Sequence, residues 1–279
     1  AKIGISEKRS YFRATFSLGA RRHPMLSKNK QKLIRSLDRK KNRDAEGLFL
    51  AEGPKLVTEL LAHFRCRLLV GEPAVLSKVP SEANAVAERV EVTAEELARV
   101  SLQRAPQGVL AVFEKPQPVA AQSLLPVVGR SLCLALDGVQ DPGNVGTIVR
   151  IADWWGIEHV ICSHDTADVF APKTVQSTMG ALGRVGVHYT DLPAWLDELP
   201  AGTPVYGTLL DGDNLYDSEL TPHGIIVMGN EGNGLSSAVR ERVSHRLLIP
   251  SFPADRPTSE SLNVAVATAV TCAEFRRRS

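Results

Sequence analysis

Strand-like and helix-like segments alternate through the second half of this 279-residue chain, and this alternation constrains the fold most. Short apolar runs such as LCLALDGV (132–139) and GIIVMG (224–229) are separated by segments with helical spacing. Nearly continuous apolar strands are typical of a parallel sheet covered by helices on both faces. We therefore predict an α/β domain over residues 131–279. Its predicted strands are 132–139, 159–162, 185–189, 204–210, 224–229 and 246–250, with helices near 145–155, 172–180, 192–199, 236–243 and 260–276.

The first half of the chain predicts a second, smaller α/β domain over residues 26–115. KNKQKLIRSLDRKK (28–41) has the spacing of a helix, and LFLAEG (48–53) reads as a short strand. GVLAVFEK (108–115) is predicted to close a βαβ-type unit. Residues 116–130 contain three prolines and few charges, which is typical of a linker. Residues 1–25 are predicted to form a flexible N-terminal arm.

The positive charge of the chain is concentrated at its front. Residues 1–50 contain 14 Lys or Arg against 4 Asp or Glu, whereas the remaining 229 residues contain 19 basic and 27 acidic residues. A basic front on a mildly acidic body indicates a surface that meets a polyanion. A solvated, lysine-rich helix face is the alternative. The charge distribution does not distinguish RNA from DNA.

Several classes of protein are disfavoured by absent patterns. The apolar runs are too short and interrupted for a membrane-spanning helix, and the N-terminus is a poor secretory signal. The four cysteines lie far apart without a C-x-x-C pair, and the seven histidines are scattered. We therefore expect a cytoplasmic protein with reduced cysteines and no metal site.

Three loops at predicted strand ends contain unusual residues. They are DGVQDPGNVGTIVR (137–150), IIVMGNEGNGLSS (225–237) and IPSFPADRPTSESLNV (249–264). Ligands of a parallel α/β sheet bind beyond the carboxyl ends of its strands. However, no loop has the G-x-G-x-x-G, G-x-x-x-x-G-K-[ST] or G-x-S-x-G pattern, which disfavours dinucleotide, triphosphate and α/β-hydrolase chemistry.

In order and spacing, the three loops resemble the SpoU (TrmH) family of RNA ribose 2′-O-methyltransferases, of the SPOUT class. Residues 27–61 separately resemble the substrate-binding domain that precedes the catalytic domain in many members. The segment between Ile249 and Ser261 is longer than the family pattern. The matching loop residues are Asn144, Gly146 and Arg150; Gly229, Glu231, Gly232, Gly234 and Leu235; and Ile249, Pro250, Ser261, Leu262, Asn263, Val264 and Ala267.

The resemblance implies a C-terminal knotted domain that binds S-adenosylmethionine, a homodimer, and an RNA substrate, with a separate N-terminal domain favouring ribosomal RNA. It requires no metal, because the methyl donor is already activated. By motif position, the catalytic candidates are Arg150, Asn144, Glu231, Ser261 and Asn263. The candidate cofactor contacts are Thr208, Leu209, Gly229, Ile249 and Leu262. The candidate RNA contacts are Lys28, Lys32, Arg35, Arg39, Lys40, Lys41 and Arg43.

The residues leave several roles open. A guanidinium is a poor base because its pKa is about 12.5 or higher, so Arg150 either orients a phosphate, stabilises an oxyanion or activates the hydroxyl; a helix-surface ion pair is the structural alternative. Glu231 either fixes Arg150 or another loop, or caps its own helix. Ser261 is alternatively the N-cap of the last helix. The alternative functions are a non-catalytic RNA-binding or ribosome-assembly protein, a tRNA ribose methyltransferase, and base methylation.

Overall fold

The computed structural model describes residues 26–80, 86–253, 259 and 261–278. The predicted N-terminal arm, residues 1–25, lies outside this part. The N-terminal unit consists of α1 (Lys28–Ser36), α2 (Lys40–Glu46), β1 (Leu48–Glu52), α3 (Pro54–Leu61), β2 (Cys66–Gly71), α4 (Pro73–Leu76), β3 (Arg89–Glu91), α5 (Ala94–Val100) and β4 (Val109–Glu114).

The N-terminal sheet has the order β1-β4-β2-β3, and this corrects one prediction. Strand β4 lies between β1 and β2 and runs antiparallel to both, whereas β2 and β3 are parallel. The expected βαβ-type closure by residues 108–115 is therefore wrong. A fully buried apolar strand such as VLAVFE has no alternation from which its direction or its neighbours could be read.

The basic helix predicted over residues 28–41 is broken into α1 and α2. Ser27 caps α1 by accepting a hydrogen bond from Lys30 N. Arg39 adopts an extended conformation at the start of α2, and Gly47 ends α2 in the left-handed region at φ 64°. A left-handed residue at a helix end is favourable for glycine, which has no Cβ to clash. Two short helices therefore replace one.

The C-terminal unit contains a six-stranded sheet of order β10-β8-β9-β5-β6-β7, in which every neighbouring pair is parallel. The predicted parallel α/β fold is confirmed. Its elements are α6 (Leu125–Val128), β5 (Leu132–Asp137), α7 (Pro142–Trp154), β6 (His159–Ser163), α8 (Pro172–Thr178), β7 (Gly186–Thr190), α9 (Leu192–Asp197), β8 (Val205–Asn214), β9 (Gly224–Gly229), α10 (Ser237–Arg240), β10 (His245–Leu248) and α11 (Val264–Arg277).

Two apolar layers cover this sheet. Alternate residues of β5 and β9 enter different clusters: Leu134 and Ile226 face the layer of α7, α8 and α11, whereas Ala135 and Val227 face the layer of α9 and α10. The end of segment 116–130 joins the second layer, where Trp195 Nε1 donates to the Ala121 carbonyl at 2.9 Å. This proline-containing segment therefore packs into the apolar core of the domain, where Ala121, Leu124 and Val128 are buried.

A closely packed helix pair positions the first motif loop. A Cβ built on Gly146 of α7 would lie 2.5 Å from the Thr174 carbonyl oxygen and 2.6 Å from Ser177 Cβ of α8. Any side chain at this position would force the two helices apart. The motif glycine therefore fixes α8 against α7, next to the loop that contains Asn144.

A buried ion pair joins the two units. The Arg43 guanidinium of α2 donates to Asp168 Oδ2 at 2.6 and 3.1 Å and to the carbonyls of Leu37 and Asp38 at 2.8 and 2.7 Å. Its side chain is 3% exposed and that of Asp168 is 10% exposed. Phe49 of β1 also packs on Phe170, with ring centroids 5.0 Å apart. Charged and apolar contacts thus fix α2 and β1 against the segment that follows β6.

Removing one partner of the buried pair should destabilise the protein, because an unpaired charge stays buried. We expect Arg43→Met to lower the free energy of unfolding in urea by about 3 kcal/mol or more. Lys41→Met, at an exposed position on the same helix, should change it by less than about 0.5 kcal/mol. Equal small effects of both variants would contradict the buried pairing.

Candidate active site

The three motif loops meet through their side chains. Asn144 Nδ2 donates to Glu231 Oε1 at 2.8 Å, and Asn144 Oδ1 accepts from Asn263 Nδ2 at 3.0 Å. The backbone N–H groups of Gln140 and Asp141 donate to the same carboxylate, both at 3.3 Å. We call Glu231, Asn144 and Asn263 the polar bridge. It connects the starts of α7 and α11 with the loop after β9.

The polar bridge keeps Glu231 ionised. Partial burial alone would raise the pKa of this carboxyl, but the hydrogen bonds from Asn144 and from the backbone N–H groups outweigh it and lower the pKa below the usual 4.5. The interaction is therefore present above pH 4.5 and is lost as the pH falls through the lower folded-state value. Of the roles left open for Glu231, the contact to another loop is the one observed.

The loop after β9 folds back on itself. The Asn230 N–H donates a hydrogen bond to the Gly234 carbonyl, and the Gly234 N–H donates to the Asn230 carbonyl, both at 2.9 Å. Asn230 Nδ2 donates to the Gly138 carbonyl at 2.7 Å, which ties this loop to the end of β5. A Cβ on Gly229 would lie 2.4 Å from the Gly234 carbonyl carbon. Gly229 is thus required by the tight return of its own loop.

Most of the predicted cofactor contacts lie where strands end. Gly229 is the last residue of β9, and Ile249 follows β10 directly. In β8, Gly207 is the last residue paired with β9. Thr208 Oγ1, which comes next, reaches the Val227 carbonyl at 3.4 Å. The carboxyl ends of parallel strands share one edge of a sheet, so these residues border the same region.

Strand β8 extends further than predicted, to Asn214 instead of residue 210. Its pairing with β10 shifts between Gly207 and Asp213, which leaves residues 208–212 without partners in the register. Leu209 packs on the apolar cluster and Leu210 is 72% exposed. An interrupted ladder cannot be read from an apolar run alone. It places Thr208 and Leu209 in a bulge at the site edge.

The third loop contributes Asn263 most directly. Asn263 Oδ1 accepts from the N–H groups of Ala265 and Val266 at 3.0 and 3.3 Å, so Asn263 caps α11 while its amide nitrogen reaches Asn144. The alternative that Ser261 is the N-cap is wrong, and the helix predicted from residue 260 starts at Val264. Ser261 is exposed, and Leu262 is 49% exposed beside the bridge.

Arg150 does not join the polar bridge. It lies six residues after Asn144 on α7, about 9 Å further along the helix, and its side chain is exposed. Among the described residues, none is hydrogen-bonded or ion-paired to the Arg150 side chain. The alternative of a helix-surface ion pair is therefore not observed.

Two residues that the motif analysis did not include support the first loop. Asp141 caps α7 by accepting from Asn144 N at 3.0 Å, and Lys173 Nζ of α8 donates to its other carboxylate oxygen at 2.8 Å. Lys173 is the main cause of the lowered pKa of Asp141. The Asp-Pro pair at residues 141–142 is a recognisable helix start. Lys173 is not among the predicted site residues, because its contact with Asp141 joins two helices.

Six of the seven predicted RNA contacts are exposed, and the seventh, Arg43, is buried. Lys28, Lys32 and Arg35 recur along α1 at intervals of four and three residues and are exposed, opposite the buried Ile34. Arg43 is a correction, since its guanidinium is buried in the pair with Asp168 and is not presented to a ligand. The other exposed members of the predicted set are Arg39, Lys40 and Lys41.

In the described part of the chain, no group of three or more His, Cys, Asp or Glu is arranged to hold a metal ion. No helix in the described ranges is long and apolar enough to cross a membrane. The four cysteines are buried and unpaired.

Comparison with known proteins agrees with this geometry. The SpoU rRNA Methylase family matches residues 131–273, and the MRM3-like substrate binding domain matches residues 28–111. A relative in Bacillus subtilis, named 23S rRNA (guanosine(2553)-2′-O)-methyltransferase RlmP, is 33% identical over 240 residues, which are 85% of this chain and 91% of that protein.

Two solved structures are similar over most of both chains. A TrmH-family structure from Porphyromonas gingivalis has 46% identity and a TM-score of 0.79, covering 92% of this chain and 100% of that chain. An AdoMet-bound rRNA methyltransferase from Sinorhizobium meliloti has 29% identity and a TM-score of 0.75, with 91% and 96% covered. By its sequence, its fold and the meeting of its three motif loops, the chain belongs to the SpoU rRNA methylase family.

Proposed function

We propose that this protein transfers a methyl group from S-adenosylmethionine to a ribose 2′-hydroxyl of ribosomal RNA. The observation that carries the proposal is the polar bridge, which joins all three motif loops at the carboxyl edge of the parallel sheet. The names of the relatives support the same reaction: the Bacillus subtilis protein is named a 23S rRNA 2′-O-methyltransferase, and the Sinorhizobium meliloti structure is that of an AdoMet-bound rRNA methyltransferase.

The residues at this edge fit S-adenosylmethionine. The loop after β9 is rich in glycine and offers backbone polar groups to a ligand, and the exposed Leu262 offers apolar surface to an adenine. Glu231 is exposed, and its hydrogen bonds lower the pKa of its carboxyl. A carboxylate would repel a phosphate, but it is compatible with the positive sulfonium of the methyl donor. Thr208, Leu209, Gly229, Ile249 and Leu262 are the proposed contacts.

We propose that Arg150 acts on the RNA substrate and not on the methyl donor. In the transfer, the ribose 2′ oxygen would form a bond to the methyl carbon as the bond between that carbon and the positively charged sulfur breaks, which leaves S-adenosylhomocysteine and releases the hydroxyl proton. A guanidinium is suited to holding a phosphate or a negatively charged oxygen, so Arg150 orients the substrate or stabilises the developing oxyanion. Its exposed side chain is free to do so. Asn144, Glu231 and Asn263 hold the loops around it, and Ser261 borders them.

We propose that the two units bind different substrates. The exposed basic face of α1 binds the RNA backbone, and the parallel-sheet unit holds the methyl donor. We further propose a C-terminal knot, supported by the return of the chain at Asn263 to the loop of Asn144, which in turn bonds to Glu231. A homodimer is supported by exposed apolar residues on the packed helices α7 and α11, Trp154 at 81% and Val266 at 50%. A cytoplasmic location agrees with this substrate.

Arg150→Ala should strongly reduce the rate of methyl transfer without weakening the binding of the methyl donor. We expect the rate to fall by about a hundredfold or more, the usual cost of removing a group that stabilises developing charge. Calorimetric affinity for S-adenosylmethionine should be unchanged. Arg130→Ala, at another exposed arginine, should keep full activity. Wild-type activity of Arg150→Ala would refute its role, and no donor binding by the unmodified protein would favour a non-catalytic RNA-binding protein.

The basic face of α1 should determine the salt dependence of RNA binding. We expect Lys28→Ala with Lys32→Ala to reduce the slope of log affinity against log salt by about 1.5, since each lost phosphate contact removes roughly 0.7 to 0.9. Lys55→Ala with Lys78→Ala removes two exposed lysines elsewhere in the same unit and should leave the slope unchanged. Equal slopes for both double variants would assign RNA binding to another surface.

A further inference from the structure

Helix α8 touches both the catalytic loop and the N-terminal unit through one face. Lys173 and Gln176 are three residues apart, which places them side by side on a helix. Lys173 Nζ donates to Asp141 Oδ2 at 2.8 Å, and Gln176 Oε1 accepts from Gln103 Nε2 at 3.0 Å. The distance between the catalytic loop and the domain junction is thus about one helical turn along this face.

The Lys173 ammonium is available to a ligand. Its side chain is 64% exposed and that of Asp141 is 45% exposed, and such an exposed ion pair is weak in water. Asp141 caps α7 through Oδ1, with Asn144 N at 3.0 Å, whereas Lys173 binds Oδ2. The lysine can therefore leave Asp141 without uncapping the helix that presents Asn144.

We propose that Lys173 binds a backbone phosphate of the RNA substrate and positions the strand between the basic face of α1 and the polar bridge. The proposal rests on the proposed function and deepens it. Helix α8 contacts the N-terminal unit through Gln176 and the loop of Asn144 through Lys173, so an RNA strand that reached from that unit to Asn144 would pass beside α8. A lysine ammonium is a common point-charge ligand of phosphate.

The test measures binding of a large-subunit ribosomal RNA transcript to the full-length protein, without methyl donor, over a range of salt concentrations. We expect Lys173→Ala to weaken binding about fivefold at low salt and to reduce the salt slope by roughly 0.7 to 0.9, the value of one phosphate contact. Lys173→Arg should keep the slope. In methylation assays Lys173→Ala should raise the KM for RNA more than it lowers kcat, with donor affinity unchanged.

The matched control is Arg242→Ala. Arg242 also pairs with an aspartate, Asp197, at 2.6 Å, but it follows α10 in the layer on the other face of the sheet. It should change neither the slope nor KM. An unchanged slope for Lys173→Ala would overturn the proposal, as would a loss of donor affinity alone, which would show that the lysine only braces the loop. Failure of the wild type to methylate RNA would instead refute the proposed function. The salt dependence of RNA binding, measured without methyl donor, would still test the role of Lys173.

Discussion

The candidate site depends on one side chain that is bonded in two directions. Asn144 donates to Glu231 and accepts from Asn263, so its amide satisfies a carboxylate on one side and a helix-capping asparagine on the other. Glu231 and Asn263 lie 87 and 119 positions after Asn144 in the sequence. Because an amide has both donor and acceptor atoms, it can serve both partners, which neither an aspartate nor a lysine could do. Loops from distant parts of the chain are thereby held at one edge.

The support for this arrangement reaches into the N-terminal unit. Gly146 lets α8 approach α7, and α8 in turn contacts Gln103. The buried Arg43–Asp168 pair fixes α2 against the segment after β6, where Ala167 N–H donates to the Val139 carbonyl at 2.9 Å. The RNA-binding candidates on α1 and α2 are therefore set at a defined position relative to the catalytic loops. A substrate bound by both units would gain from this preorganisation.

The sequence predicts the C-terminal architecture well because parallel buried strands and amphipathic helices have distinct patterns. The motif loops are recognised by their order and spacing at the ends of these strands. Contacts between distant residues are less accessible. Arg43 has the same local setting as Lys40 and Lys41, yet it is buried, since only the tertiary structure brings Asp168 to it. Likewise the direction of β4 depends on neighbouring strands that no local pattern reveals.

The most direct measurement is the affinity for S-adenosylmethionine, by calorimetry, of Asn144→Ala beside Asn233→Ala. Both asparagines belong to motif loops, but only the side chain of Asn144 is part of the polar bridge. If the bridge forms the methyl-donor site, Asn144→Ala should lose about tenfold or more in affinity, as expected for the loss of hydrogen bonds to a charged group, and Asn233→Ala should bind as the wild type does. Unchanged affinity of Asn144→Ala would contradict the central claim.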